Sequence, residues 1–384
     1  MRIAMVGTRG VPATYGGFET CVEEVGKRLA AAGHEVIVYC RTTTAAGSAP
    51  RPTTHLGMQL VHLPAIRHRA LETLSHTALS VVHLVTRRRV DAVLLFNAAN
   101  SPLIPILLLA RQAVATHVDG LEWRRAKWGK IGRRYYRLAE QLAVRWSTAL
   151  IADAQGISDY YEAEFGAPTE LIRYGAPLLD DPAAGLIEPL GLESRRYHLV
   201  VARLEPENHV DVIIDGYTRS SAADPLVVVG AAPYAEAYTQ RVHSLADSRV
   251  RFLGAVWDQP LLNALYANAL TYLHGHSVGG TNPSLLRAMG AGTATDAFDV
   301  SFNREVLGDA GRYWSDADDV ARSVLAAEHD RDGTVARGVQ SRARAAEFTW
   351  EDVADGYEAL CRRLSSRAGR AKPRPSGRRR RSAA

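Results

Sequence analysis

The feature that most constrains this chain is an alternation that runs through it twice. Short apolar runs at 3–6, 36–39, 60–63, 92–96, 114–118 and 149–152 have the length and residue types of buried strands. The stretches between them, at 20–32, 69–86 and 131–146, repeat their apolar residues with a helical period. A second series starts near residue 197. Strand-like runs at 199–202, 226–229, 250–253 and 270–273 alternate with helical patterns at 210–217, 234–245, 260–267 and 283–289. Such alternation predicts a parallel sheet covered on both faces, because parallel strands are joined by crossovers. Repeated twice, it predicts an α/β protein with similar domains at 1–178 and 197–346, joined by a Pro-, Gly- and acid-rich linker at 179–196. A helix at 347–364 and a tail at 365–384 follow. A chain of 384 residues can bury two cores of this size.

Composition serves mainly to exclude. The net charge of +5 belongs to the tail: residues 365–384 hold eight Arg or Lys and no acid, and without them the body carries −3. The basic balance therefore gives no support to a nucleic-acid-binding fold. Three cysteines (Cys21, Cys40 and Cys361) are too few and too scattered for a disulfide framework or a thiolate metal site, and they fit a reducing cytoplasm. The N-terminus runs straight into a strand pattern without the features of a signal peptide. The most apolar run, 102–110, is nine residues with a second proline inside, against about 20 needed to cross a bilayer. The tail reads as disordered. Its arginine block at 378–381 suits an anionic membrane surface, and a solubilising appendage is the alternative.

Chemistry concentrates in the loops after strands. The first, GTRGVPATYGGFET (7–20), carries two glycine clusters, the second at Gly16 and Gly17, before a helix whose N-terminus can receive an anion. Its spacing is not G-x-G-x-x-G, so the dinucleotide fingerprint is absent and an oxidoreductase is disfavoured. The stretch 119–137 holds seven Arg or Lys with two Trp and two Tyr; Trp123, Arg124, Arg125 and Trp128 are its candidates for a membrane or acceptor surface. A solvated helix face is the plain alternative. In the second series, Arg203 ends a strand, where open α/β sheets bind ligands. HGHSVGGTNPSLLRAMGAG (274–292) then sets Gly279 and Gly280 before Thr281, Asn282 and Pro283 at a helix start. That arrangement makes a diphosphate cradle or, on the alternative reading, a well-capped structural helix. His274 and His276 have no third ligand at suitable spacing, so no metal site is expected.

Taken together, GTRGVPATYGGFET, HVDGLEWRRAKWG, RLEPENH, HGHSVGGTNPSLL and FNREVLG (302–308) resemble the family-four glycosyltransferases of GT-B fold. Within it they resemble the bacterial rhamnosyltransferases of surface-polysaccharide assembly. The likeness spans residues 1–364. It implies two Rossmann-like domains facing a cleft, with the last helix returning to the first domain. It further implies retaining transfer of a sugar, rhamnose from a dTDP-linked donor being the favoured case, to a lipid-linked or saccharide acceptor at the inner membrane face. No cofactor and no metal are implied, because positive side chains and helix ends stabilise the leaving diphosphate.

Residue by residue, the resemblance places Gly16, Gly17, Arg203, Asn208, Gly279, Gly280, Thr281, Asn282 and Arg287 on the donor. His117, Asp119, Asp153 and Tyr174 fall on the catalytic wall. Asp153 as a helix N-cap and Tyr174 as a packed aromatic are the structural alternatives. Two positions depart from the family. Asn208 stands where many relatives have lysine. Gly279 and Arg287 stand where many have glutamates, the second near the donor ribose. A guanidinium only donates hydrogen bonds and cannot accept them from ribose hydroxyls. These departures motivate a second expectation, a non-catalytic protein of the same fold that binds a partner or lipid.

Overall fold

Each apolar run becomes a strand. A computed structural model describes residues 1–367 except 14–15, 43–50, 67, 69–70, 88, 119, 126–127, 181–182 and 232–235. The first half runs β1 (Arg2–Val6), α1 (Gly17–Ala31), β2 (Glu35–Arg41), β3 (Thr54–His55), β4 (Met58–Leu63), α2 (Glu72–Arg87), β5 (Ala92–Phe96) and α3 (Ile104–Leu109). It continues with β6 (Val114–His117), α4 (Lys130–Trp146), β7 (Ala149–Ala152), α5 (Gln155–Phe165) and β8 (Glu170–Leu171). The second half runs β9 (His198–Val201), α6 (Val210–Arg219), β10 (Leu226–Val229), α7 (Glu236–Ser244), β11 (Val250–Gly254), α8 (Gln259–Asn268), β12 (Thr271–His274) and α9 (Pro283–Gly290). After these come β13 (Ala294–Phe298), α10 (Ser301–Leu307), β14 (Arg312–Trp314), α11 (Ala317–His329), α12 (Arg331–Ala345) and α13 (Trp350–Arg367).

Two sheets result. The first has the order β3-β4-β2-β1-β5-β6-β7-β8 and is parallel except for β3, which is antiparallel to β4. The second, β11-β10-β9-β12-β13-β14, is parallel throughout. Strand periodicity divides the first core between two faces: Ile3 and Met5 of β1 pack with α1 and α13, while Ala4 and Val6 pack with α2 and α3. The second sheet does the same, Leu199 lying with α8 and Val200 with α6 and α11.

In each sheet the strand order reverses at one point. In the first, the chain leaves β1 through β2 on one side and resumes at β5 on the other. In the second, the reversal lies between β9 and β12. At such points the loops beyond the strands' carboxyl ends part and leave a crevice. The loops there include the glycine segment after β1, the Arg203 segment after β9 and the Gly279 segment after β12.

Several boundaries differ from expectation. β13, sequence ATDAF, is not apparent as a strand, because Thr295 and Asp296 are polar yet buried. The Asp296 carboxylate takes Arg337 (2.9 Å) and Ser323 as partners. β3, β8 and β14 are three residues or shorter and leave no periodicity to read. The expected linker is partly core: Ile187 and Leu192 are buried with the second domain. The expected start of one helix at 69 and of another at 234 falls outside the described residues. The final helix extends three residues past 364, to Arg367, and the rest of the expected tail, with its arginine block at 378–381, lies outside the described residues. No helix among the described residues is long and apolar enough to cross a membrane.

α13 closes the first core from the far end of the chain. Tyr357, Leu360, Cys361 and Leu364 are buried against α1, and the Cys21 thiol lies 3.6 Å from the Tyr357 hydroxyl. Truncation at Leu360, which is 1% exposed, leaves a cavity in a packed interior. Leu360→Ala is expected to lower the unfolding free energy by about 2–5 kcal/mol in urea titrations. A change below half a kcal/mol would mean that α13 contributes little to the first domain.

Candidate functional site

The two crevices face one another, and glycines let their walls touch. A Cβ on Gly120, in the loop after β6, would lie 2.2 Å from the Gly279 Cα. One on Gly280 would lie 2.0 Å from Asp153 Oδ1. Neither distance is possible for a real Cβ: at Gly120 the neighbour is backbone, so only glycine permits the approach, whereas at Gly280 the Asp153 carboxylate would have to move. Between the two glycine contacts, the Thr281 hydroxyl donates across the cleft to the Asp153 carbonyl at 2.5 Å. The start of α1 joins them: a Cβ on Gly17 would stand 3.2 Å from the Tyr174 ring, closer than side chains normally pack, and 3.4 Å from the Pro283 ring. Gly16 is the residue before α1, with φ of 110°.

On the first-domain wall, His117 is 1% exposed and lies among Phe18 (5.0 Å between ring centres), Phe96 (5.7 Å) and Tyr174 (6.0 Å). Burial pulls its pKa down to about 3, and neither ring nitrogen has a hydrogen-bond partner. It is therefore neutral near pH 7, able to donate from one nitrogen and accept at the other but unsuited to delivering a proton as imidazolium. Tyr174 is buried and stacks on Trp350 of α13 at 6.2 Å, as the packed-aromatic alternative expected. Asp153 is buried beside Gly280, and α5 begins after Ala154 rather than after Asp153, so the N-cap alternative does not hold. Asp119 lies outside the described residues.

The second-domain wall carries Arg203, with its side chain 45% exposed and 3.4 Å from Glu205. α9 starts with its N–H groups toward the cleft, Asn282 capping Ser284 N at 2.8 Å and Pro283 in the first turn. This cap occupies the Asn282 side-chain oxygen but not its side-chain N–H groups. The Asn208 side chain is engaged at both ends. Its buried amide donates to the Arg203 carbonyl (2.8 Å) and accepts from His276 Nδ1 (2.8 Å), so it braces two loops instead of facing a ligand. Arg287 donates to Gln259 Oε1 at 2.9 Å. His276 is held neutral by burial first and then by the nearby charges of Arg125 and Arg203. His274, also buried, is pulled down to about 3. Among the described residues no group of three or more His, Cys, Asp or Glu is placed to hold a metal ion.

The basic stretch does not form one outward surface. Arg125 is buried: it pairs with Glu122, and its Nη1 lies 3.7 Å from Oε1 of Glu207 in the other domain. Trp123 is half-buried beneath Arg124 (5.2 Å) and Arg137 (4.9 Å), and Trp128 packs on Tyr136 and donates to Glu122 at 3.4 Å. Of the four expected surface residues only Arg124 is exposed. The outward face lies further on, along α4. There Ile131 (85% exposed), Arg134, Leu138 (50%) and Arg145 form a stripe, and Leu109 (86%) of α3 is likewise exposed.

Three participants escape sequence reasoning. Gly120 matters only through a close approach that no local pattern encodes. Glu207 reads as an ordinary charged loop residue yet is buried. Glu305, inside FNREVLG, crosses domains to accept from Gln155 N (2.8 Å) and Arg173 Nε (2.6 Å), fixing the start of α5.

Both halves of the chain are similar to known glycosyltransferase families. Residues 16–175 match the family described as Glycosyl transferase 4-like domain, and residues 195–330 match Glycosyl transferases group 1. Over 167 residues the chain is 26% identical to O-antigen chain mannosyltransferase B of Escherichia coli, covering 41% of this chain and 43% of that protein. The chain thus spans less than half the length of that curated relative. Among solved structures, sucrose-phosphate synthase from Thermosynechococcus elongatus superposes with a TM-score of 0.80 at 19% identity, over 95% of this chain and 99% of the other. HepE of Anabaena in complex with UDP gives 0.73 at 17% identity, over 95% and 100%. These two likenesses establish the fold, two α/β domains of GT-B type.

The buried neutral histidines set a pH dependence. His117 and His274 are pulled to about 3 and His76 to about 4, all by burial first, from an ordinary value near 6.5. Between pH 6.5 and 4 the unfolded chain binds protons that the native chain refuses. Stability therefore falls as pH falls through that window, by up to about 1.4 kcal/mol per pH unit for each such histidine. Glu140, raised to about 7 by burial, acts in the opposite sense, but it is one group against several. Urea unfolding at pH 7 and pH 5 is expected to show this loss, and His117→Gln is expected to lose less than the wild type. Stability that rises on acidification contradicts the burial argument.

Proposed function

The chain belongs to the GT-B glycosyltransferases, and from that premise we propose that it transfers a hexose or deoxyhexose, with retention, from a nucleotide diphosphate donor to a lipid-carried saccharide. The observation that carries the reading is the meeting of both switch-point crevices on one helix end. The N-terminus of α9 presents backbone N–H groups between Gly279 and Thr281, and Arg203 stands beside it. Unpaired amides and the helix dipole favour an anion there. As the bond to the sugar breaks, the diphosphate gains charge, and fixed donors already aimed at it need little reorganisation. Closure on the glycine contacts excludes water from the donor.

Opposite this end, His117, Tyr174 and Asp153 form the wall against which the sugar would lie. A neutral imidazole serves there as a hydrogen-bonding group for sugar hydroxyls. Asp153, in this reading, stabilises positive charge on the sugar or accepts the acceptor's proton. In this reading the leaving group is neutralised by side chains and backbone, without a metal. dTDP-rhamnose is the first donor to test. GDP-mannose follows from the partial likeness to a mannosyltransferase, and UDP-glucose from the HepE complex with that sugar nucleotide. Arg287, committed to Gln259, offers no acceptor to a ribose, which keeps a non-catalytic binding role as the second reading.

Turnover assays with these donors and a lipid extract as acceptor are expected to release nucleoside diphosphate. Arg203→Ala is expected to lower kcat/KM by about 10²–10³. Absence of binding and turnover with every donor would favour the non-catalytic reading. The acceptor side has its own test. The stripe of Ile131, Arg134, Leu138 and Arg145 joins apolar and basic side chains as a membrane surface requires. Ile131→Glu with Leu138→Glu is expected to abolish co-sedimentation with vesicles containing anionic lipid. Unchanged binding by that variant would dismiss this face.

A further inference from the structure

The ion pair that bridges the domains has no part in the account so far. Glu207 follows Arg203 by four residues, its side chain is 4% exposed, and neither carboxylate oxygen accepts a hydrogen bond. Its guanidinium neighbour, Arg125 of the first domain, is itself 9% exposed and also pairs with Glu122. Two carboxylates thus share a buried cation, and one of them is held by charge alone at 3.7 Å, beyond hydrogen-bond range. Burying a carboxylate this way is costly without a compensating role.

The surroundings suggest that role. Arg125 stands where three loops meet. The Glu207 carbonyl accepts from Ser277 N (2.9 Å) and Ser277 Oγ (3.0 Å), joining the Arg203 loop to the glycine loop, and Gly120 brings Arg125's own loop onto Gly279. The same site is short of positive charge on its own side. Asn208 occupies the place of a lysine and spends both ends of its amide as a brace, while Arg287 is turned to Gln259. That leaves Arg203 facing a ligand that carries at least two negative charges. A guanidinium has five donors in a planar fork, and such forks match phosphate oxygens.

We propose that Arg125 binds the donor's diphosphate from across the cleft, with Glu207 holding the guanidinium in place beforehand and competing with the phosphate for it. The second cation of the site then comes from the opposite domain, and donor binding draws the domains together through it. This rests on the reading of the site as a nucleotide diphosphate site.

Isothermal titration of UDP, GDP and dTDP, each beside its monophosphate, tests the proposal on the full chain. For the diphosphate that the wild type binds, Arg125→Gln is expected to weaken affinity about tenfold or more, while the monophosphate changes less than about threefold. Arg125→Lys is expected to recover part of the loss. Glu207→Gln, nearly the same shape without the competing charge, is expected to bind the diphosphate more tightly. Equal losses for monophosphate and diphosphate, or no loss at all, overturn the proposal. If Arg125→Gln does not fold, Glu207→Gln decides: tighter diphosphate binding supports the proposal, and unchanged or weaker binding overturns it. A wild type that binds none of these nucleotides overturns the proposed function as well. One that binds a diphosphate which Arg125→Gln binds equally overturns this inference alone.

Discussion

The rest of the structure depends on the approach of two backbones that lack side chains. Gly120 on Gly279, and Gly280 on Asp153, let the domains meet at distances that any Cβ would forbid. Because the Thr281 hydroxyl bonds to the Asp153 carbonyl in the same place, the start of α9 is registered against the end of β7. A helix N-terminus in one domain is thereby set opposite His117, Tyr174 and Asp153 in the other. The glycines serve geometry more than flexibility: they remove atoms so that the two walls can meet.

The electrostatics follow from that closure. Burial keeps His117, His274 and His276 neutral, so the walls contribute hydrogen-bonding rings without adding charge. Positive potential is left to the helix end and to Arg203, while Arg125 is shared between Glu122 and Glu207. Charges so arranged exert more force in a closed, water-poor cleft than in solvent. The hinge side is secured separately. Glu305 ties α10 to Arg173 and α5, so the cleft is not the sole link between domains.

Much of this was legible in the sequence where the physics is local. Unbroken apolar runs such as AVLLF announce buried parallel strands, and helix periodicity places the layers between them. The TNP segment after two glycines marks the start of α9 because capping and proline geometry act within a single turn. What escaped depends on tertiary neighbours. ATDAF forms a strand because Arg337 and Ser323 satisfy Asp296 from elsewhere in the chain. Asn208 and Arg125 read as exposed polar residues facing a ligand or a membrane, yet both are buried, one bonded to His276 and the other paired with carboxylates on two domains. Charge and residue type predict where chemistry gathers. They do not say which partner has already claimed each side chain.

A crystal structure of the chain with a bound nucleoside diphosphate examines the central claim most directly, since it locates the phosphates. The account predicts them within hydrogen-bonding distance of the Gly280 and Thr281 amides and of the Arg203 guanidinium, with the nucleoside directed along α9 toward Arg287. Phosphates seated anywhere else, or a nucleotide bound outside the seam between the two domains, would contradict it.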